Sequence, residues 1–313
     1  MDLRAITTKE AFDENLLSDS WLDAAKQICR RHRIPFSELR RPGKGEHVVF
    51  LIDESFVLKI YRPYRNCFER EKKALEFTGG KINFQIPEII HVGDLEGFDY
   101  VLMTQLPGSA MTRADWLQLP MHEQLAIVNE LAVGLKSIHS LDALSFRCDW
   151  NEFVSERADT FIGRQVAHGV NAKVLGSLPG FIDTNLKLLP EDGPTVFLHG
   201  DVHFGNLRFG RTDKGWQISG LFDFADSRRG FHEYDFLAVG ILMIQSQSEI
   251  QREFFRAYGY DDKDLDETFR RRLMMLTMLY ETSDLRRYAL RLKPEAVDFT
   301  LDELERGIWS FAE

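Results

Sequence analysis

The chain has 313 residues, 44% of them hydrophobic, and a formal net charge of −10. That length suits two lobes rather than one small core, and the apolar share is ordinary for a soluble globular protein. The apolar run from Leu237 to Ile244 is under half of what a membrane span needs, so no membrane crossing is expected. The acidity is uneven: residues 1–106 carry 16 Lys/Arg against 17 Asp/Glu, whereas residues 107–313 carry 23 against 32. An acidic balance disfavours nucleic acid as a partner and favours a cationic small molecule near the second part. Cys29, Cys67 and Cys148 are odd in number and form no C-x-x-C pair, which argues against a disulfide framework or a cysteine zinc site. The first residues mix Asp2, Arg4, Lys9 and Glu10 without the pattern of a signal peptide, so a cytoplasmic location is expected.

In chain order, residues 20 to 33 space Trp21, Leu22, Ala25 and Ile28 at helical intervals, with Pro35 just beyond, and predict a leading helix. Pro42-Gly43-Lys44-Gly45 precedes two strands, Val48 to Ile52 and Phe56 to Tyr61, joined as a hairpin at Asp53-Glu54-Ser55. Phe68 to Phe77 returns to helical spacing and stops at Gly79-Gly80. Extended segments around Ile86 to Val92 and Tyr100 to Thr104 complete a small sheet. After Leu106-Pro107-Gly108 the pattern turns helical, with predicted helices over Glu123 to His139, Trp150 to Ala167, Tyr234 to Gln245, Ile250 to Tyr258, Leu265 to Tyr280 and Leu301 to Phe311. Short strands at Thr195 to Leu198, Asn206 to Phe209 and Trp216 to Phe222 frame a loop beginning at His199.

That loop, His199-Gly200-Asp201-Val202-His203-Phe204-Gly205-Asn206, is followed seventeen residues after its Asn by Asp223 in Leu221-Phe222-Asp223-Phe224-Ala225. The spacing is that of a phosphoryl-transfer site: Asp201 accepts the proton of an attacking hydroxyl, and Asn206 and Asp223 offer oxygen ligands to magnesium. His199 reads as a structural hydrogen-bonding residue. Asp235 reads as a brace for the loop or, equally, as a plain helix cap. Upstream, Gly43 and Gly45 flank a turn where backbone amides can approach phosphates. Lys59, a lone cation in the apolar run Val57-Leu58-Lys59-Ile60-Tyr61, either holds the α- and β-phosphates or points to water from an edge strand. Glu71 is preferred over Glu69 as its partner, one turn before Ala74 and Leu75 on the sheet-facing side. Met103 and Gln105, in Met103-Thr104-Gln105-Leu106, offer backbone groups to an adenine edge. A rival reading takes His199, Asp201 and His203 as an H-x-D-x-H zinc cluster of a hydrolase, which leaves Asn206, Asp223, Lys59 and Glu71 without roles.

The motifs HGDVHFGN, LFDFA, VLKIY, REKKALEF, VLMTQLPG and YDFLAVG together resemble those of the aminoglycoside phosphotransferase-like small-molecule kinases. The resemblance spans residues 43 to about 240. It implies an α+β, protein-kinase-like bilobal fold with a small sheet-rich N-lobe and a larger, mainly helical C-lobe. Residues 1–35 are then an N-terminal helical extension packed on the N-lobe, 36–105 the nucleotide-binding N-lobe, and 106–313 the C-lobe with catalytic loop and acceptor site. It implies Asp201 as base, Asn206 and Asp223 as Mg2+ ligands, Lys59 as phosphate binder and Glu71 as its partner. The expected activity is ATP- and Mg2+-dependent phosphorylation, with GTP as the alternative donor, of a hydroxyl on an aminoglycoside-like or other amine-bearing molecule. Choline, homoserine or fructosamine-type acceptors, a protein hydroxyl and a catalytically silent regulator are the alternatives. The silent reading is motivated by Glu46-His47, which stand where the family usually carries small polar residues. Glu46 is therefore expected to point away from the phosphates, or nucleotide affinity to be modest.

Overall fold

The computed structural model describes residues 3–43, 45–63, 66–190, 193–213, 215–295 and 298–312, and the chain divides into two units. The first comprises the described residues of 1–80, 84–107 and 219–227; the second comprises those of 81–83, 108–218 and 228–313. No helix among the described residues is long and apolar enough to cross a membrane.

The first unit opens with α1 (Lys9–Asn15), whose N-terminus is capped by the Thr8 hydroxyl accepting the Ala11 amide at 3.1 Å, and α2 (Ser20–Arg31). The strands β1 (Leu39–Arg40), β2 (Val48–Ile52), β3 (Phe56–Ile60), β4 (Ile89–Leu95) and β5 (Phe98–Thr104) form one antiparallel sheet in the order β1-β2-β3-β5-β4, and α3 (Cys67–Thr78) lies between β3 and β4 in sequence. Strand alternation sorts its faces. Val48, Phe50, Ile52, Leu58, Ile60, Phe98, Tyr100 and Leu102 share one buried cluster with Phe12, Trp21, Ala25 and Ile28 of the leading helices. Lys59 and Tyr61 therefore fall on the opposite face. Because β3 pairs with both β2 and β5, it is an inner strand, so the edge-strand reading of Lys59 does not hold.

In the second unit come α4 (Arg113–Gln118), α5 (Met121–His139), α6 (Trp150–Ala167) and α7 (Ala172–Asn185). The short strand β6 (Val196–Leu198) then leads into the loop. Strand β7 (Leu207–Thr212) follows it and pairs with β8 (Gly215–Leu221), and β9 (Arg228–Gly230) returns antiparallel to β6. A broken segment made of a 3-10 turn at His232–Asp235, α8 (Phe236–Ala238) and a π-helical stretch at Val239–Met243 replaces the single helix predicted from Tyr234 to Gln245. The Trp309 ring lies where a Cβ on Gly240 would stand, at 2.1 Å, and side-chain periodicity carries no trace of that approach. The unit closes with α9 (Ser248–Tyr258), α10 (Glu267–Leu279), α11 (Leu285–Leu292) and α12 (Leu301–Ile308).

Trp21 is fully buried, with its ring 5.0 Å from Phe98 and 5.6 Å from Phe12. Trp21→Ala removes the largest side chain tying the leading helices to the sheet and should cost about 3–5 kcal/mol, read as a lower urea midpoint for the first unit.

Candidate active site

In the first unit, Lys59 is 5% exposed and donates to two carboxylates: Glu71 Oε2 at 2.6 Å and Asp223 Oδ1 at 2.7 Å. Burial alone would lower the lysine below its ordinary range, but Asp223 and Glu71 outweigh it and hold it above that range. Glu71, on α3 and 1% exposed, also accepts the Tyr61 hydroxyl at 2.6 Å and the Phe224 amide at 3.2 Å. Glu69, the rival partner, lies 4.0 Å from Lys72 instead. Asp223 adopts a left-handed backbone (φ 66°, ψ 66°), which Asp tolerates better than most residues and which ends β8 in a sharp turn toward Lys59.

The residues around the glycine turn are accounted for in part. Gly43 has φ 136°, a conformation that favours glycine, whereas Gly45 has ordinary backbone. Lys44 lies outside the described residues. Glu46 pairs with Arg62 at 2.7 Å, and His47 is buried against the Tyr61 ring with its Nδ1 accepting the Arg62 amide. Met103 sits in β5 opposite Val57. The Gln105 amide, one of the groups assigned above to an adenine edge, is already donated to the Ser55 carbonyl at 2.9 Å, and that of Thr104 to Glu88 at 2.9 Å. Among the described residues, the Leu106 amide is the next donor along this stretch that has no backbone partner.

In the second unit, the loop is built around Asp235, which is 1% exposed. Its two oxygens accept the amides of His199 at 2.9 Å and Gly200 at 2.7 Å, and Oδ2 also meets His139 Nε2 at 3.0 Å. It makes no side-chain cap to its own helix, so its hydrogen bonds go to the loop. Gly200 has φ 93°, which a side chain would strain, and this gives the Gly between His199 and Asp201 a physical reason. His199 is fully buried and its Nδ1 accepts the Asp201 amide at 3.3 Å.

Asn206 Nδ2 donates to the Asp201 carbonyl at 2.8 Å and to Asp201 Oδ2 at 3.2 Å. His203 Nδ1 accepts the Gly205 amide at 2.9 Å, which leaves its Nε2 to donate to the same Oδ2 at 3.2 Å. Tyr280 donates to Oδ1 at 2.5 Å. Burial pushes the Asp201 carboxyl up, but the hydrogen bond of His203, with that of Tyr280, helps hold Asp201 below the usual carboxylate range.

Asn206 spends its amide nitrogen on Asp201 and keeps its Oδ1 unspent by those bonds, and Asp223 carries a carboxylate; amide and carboxylate oxygens are the donor types that hard cations take. The zinc reading fails on geometry: one ring nitrogen of His199 and one of His203 serve loop amides, and no group of three His, Cys, Asp or Glu side chains among the described residues is arranged to hold a metal.

A family model described as the phosphotransferase enzyme family matches residues 38–272, three quarters of the chain. The chain belongs to the phosphotransferase enzyme family. Among solved structures, it is similar to wild-type aminoglycoside 2'-phosphotransferase-IIIa in its GDP complex, at 15% identity with a TM-score of 0.73 over 92% of this chain and 98% of that one. It is similar to APH(2'')-IIa in a ternary complex with streptomycin and ATP, at 18% identity and a TM-score of 0.60 over 84% and 91% of the two chains. The aminoglycoside phosphotransferase APH(3'')-Id from Streptomyces rimosus matches at 18% identity and a TM-score of 0.55 over 82% and 98%. At these identities the likeness shows the fold, which is the α+β, protein-kinase-like one that the sequence motifs implied. A comparison with curated protein sequences returned no match.

Four acids that follow Asp223 in the chain already have partners. Glu233 holds Arg272 through two contacts of 2.7 Å, Glu281 pairs with Arg228 at 3.0 Å, Asp284 caps α11, and Asp226 lies 3.9 Å from Arg70. Sequence reasoning missed Tyr61, His139 and Tyr280. Tyr61 was findable, since two residues beyond Lys59 on a strand is the same face. Tyr280 was not, because no spacing rule links positions 79 residues apart.

Asp235→Asn leaves the His199 and Gly200 amides one carboxylate oxygen short. It should cost about 2–4 kcal/mol by urea unfolding and speed hydrogen exchange at those two amides.

Proposed function

We propose that this protein is a magnesium-dependent kinase that transfers the γ-phosphoryl group of ATP or GTP to a hydroxyl of a small molecule. The observation that carries it is Asp201: a carboxylate kept ionised in a mostly buried loop, held by Asn206 and His203, and itself a hydrogen-bond acceptor for a hydroxyl. In the transfer, Asp201 accepts the acceptor's proton as the acceptor oxygen bonds to phosphorus and the bond to the nucleoside diphosphate breaks. Lys59, kept charged by Glu71 and Asp223, holds phosphate oxygens, and the Leu106 amide with the Gln105 carbonyl faces the base. Magnesium bound by Asn206 and Asp223 would supply neutralisation of the charge that builds on the transferring group.

The acceptor is read as small and amine-bearing from the acidity of residues 107–313 and from the motif resemblance; the solved relatives include complexes with kanamycin, gentamicin and streptomycin. Against the silent-regulator alternative, which Glu46 motivated, stands the pairing of that carboxylate with Arg62 at 2.7 Å, which supports the enzyme reading.

The test is incubation with Mg-ATP or Mg-GTP and a panel of aminoglycosides, macrolides and amino-alcohols, including choline and homoserine, followed by 31P NMR. A new phosphomonoester resonance should grow as the γ-phosphate signal declines, and Asp201→Ala should abolish it. Transfer to none of these, or undiminished transfer by Asp201→Ala, contradicts the proposal.

A further inference from the structure

Asp201 is held by its own loop on one oxygen only. His203 and Asn206 both address Oδ2, and a carboxylate gripped through a single oxygen can still swivel, because the torsion that orients its plane is soft. Oδ1 is met from elsewhere in the second unit by the Tyr280 hydroxyl.

The surroundings of Tyr280 aim that hydroxyl. Tyr280 follows directly on α10, where its extended backbone (φ −54°, ψ 141°) ends the helix. Arg157 of α6 donates to three successive carbonyls across this break, those of Leu279 at 3.3 Å, Tyr280 at 3.0 Å and Glu281. The Tyr234 hydroxyl accepts the Glu281 amide at 3.2 Å, and its ring lies 5.6 Å from that of Tyr280. Arg228, stacked 4.2 Å over Phe153, pairs with Glu281. Tyr280 is 4% exposed, and burial together with the Asp201 charge keeps its phenol protonated, hence a donor.

We propose that Tyr280 is the positioning residue for the transfer base: its hydroxyl fixes the plane of the Asp201 carboxylate and leaves one lone pair of Oδ1 for the acceptor. This rests on the reading of Asp201 as the base. A phenol in this place costs no conformational search, because arginine, tyrosine and helix end have already set it. The acceptor hydroxyl therefore shares Oδ1 with Tyr280 instead of displacing it.

The test is Tyr280→Phe, which keeps the ring and removes the donor, assayed with whichever acceptor of the panel turns over fastest and, in parallel, for slow hydrolysis of Mg-ATP by water. Turnover by both routes should fall about 10- to 100-fold, with KM for Mg-ATP within about twofold. The melting temperature should stay within about 2 °C. Arg157→Gln, which keeps the phenol but loosens its anchor, should lower kcat by less, and the double variant should be no slower than Tyr280→Phe alone. A kcat within about twofold of the wild type, or a lowered melting temperature with kcat per folded molecule unchanged, overturns the proposal. Additive losses in the double variant overturn the anchoring. Asp201→Asn run alongside separates the two claims: if it retains turnover, the base assignment fails, and if it is dead while Tyr280→Phe is normal, only the positioning fails.

Discussion

A lysine ammonium held between two carboxylates inside a small sheet is the constraint on which the first unit depends. Taking Lys59 and Glu71 out of water is costly, and an apolar pair of the same volume would often be as stable or more so, while Asp223 stays partly in solvent. Lys59, Glu71 and Asp223 persist because each is answered: Glu71 has a tyrosine hydroxyl and a backbone amide as well as the lysine, and Asp223 accepts a left-handed backbone to reach it. Removing Lys59 would leave the buried Glu71 carboxylate without its cation, at roughly 3–5 kcal/mol. The sheet makes this arrangement available by committing one face to Trp21, Ile28 and their neighbours, which frees the other for charge.

The second unit solves a similar problem with hydrogen bonds instead of ion pairs. A loop that must expose a carboxylate has few backbone partners of its own, and Asp235 supplies them by accepting two consecutive amides. His139 ties Asp235 to α5 and, through the Tyr258 hydroxyl, to α9, so loop geometry is inherited from the helical core rather than from the loop's own sequence. The same logic extends to Asp201, where two loop residues and one tyrosine from a helix end divide the carboxylate between them.

Much of this was legible in the sequence, for identifiable reasons. Alternation around Lys59 and helical spacing around Glu71 are local signals, and both place side chains on faces without tertiary knowledge. The loop spacing paired Asp201 with Asn206, which are joined by hydrogen bonds of 2.8 and 3.2 Å, because five residues in one turn leave little geometric freedom. What stayed hidden depends on distant contacts. The segment from His232 to Met243 passes from 3-10 to α to π winding although its periodicity looks continuous, and the Ser55 carbonyl consumes the Gln105 amide. The acids Glu233 and Glu281 are taken by arginines 39 and 53 residues away along the chain.

Lys59 and Asp201 are read as serving different partners in one reaction, the first the nucleotide phosphates and the second the acceptor hydroxyl. Calorimetric titration of Mg-ATP into Lys59→Met and Asp201→Asn tests that division most directly. Binding should weaken at least about tenfold in Lys59→Met and stay within about threefold of the wild type in Asp201→Asn. Unchanged affinity in Lys59→Met, or a loss in Asp201→Asn as large as that expected of the lysine, would contradict it.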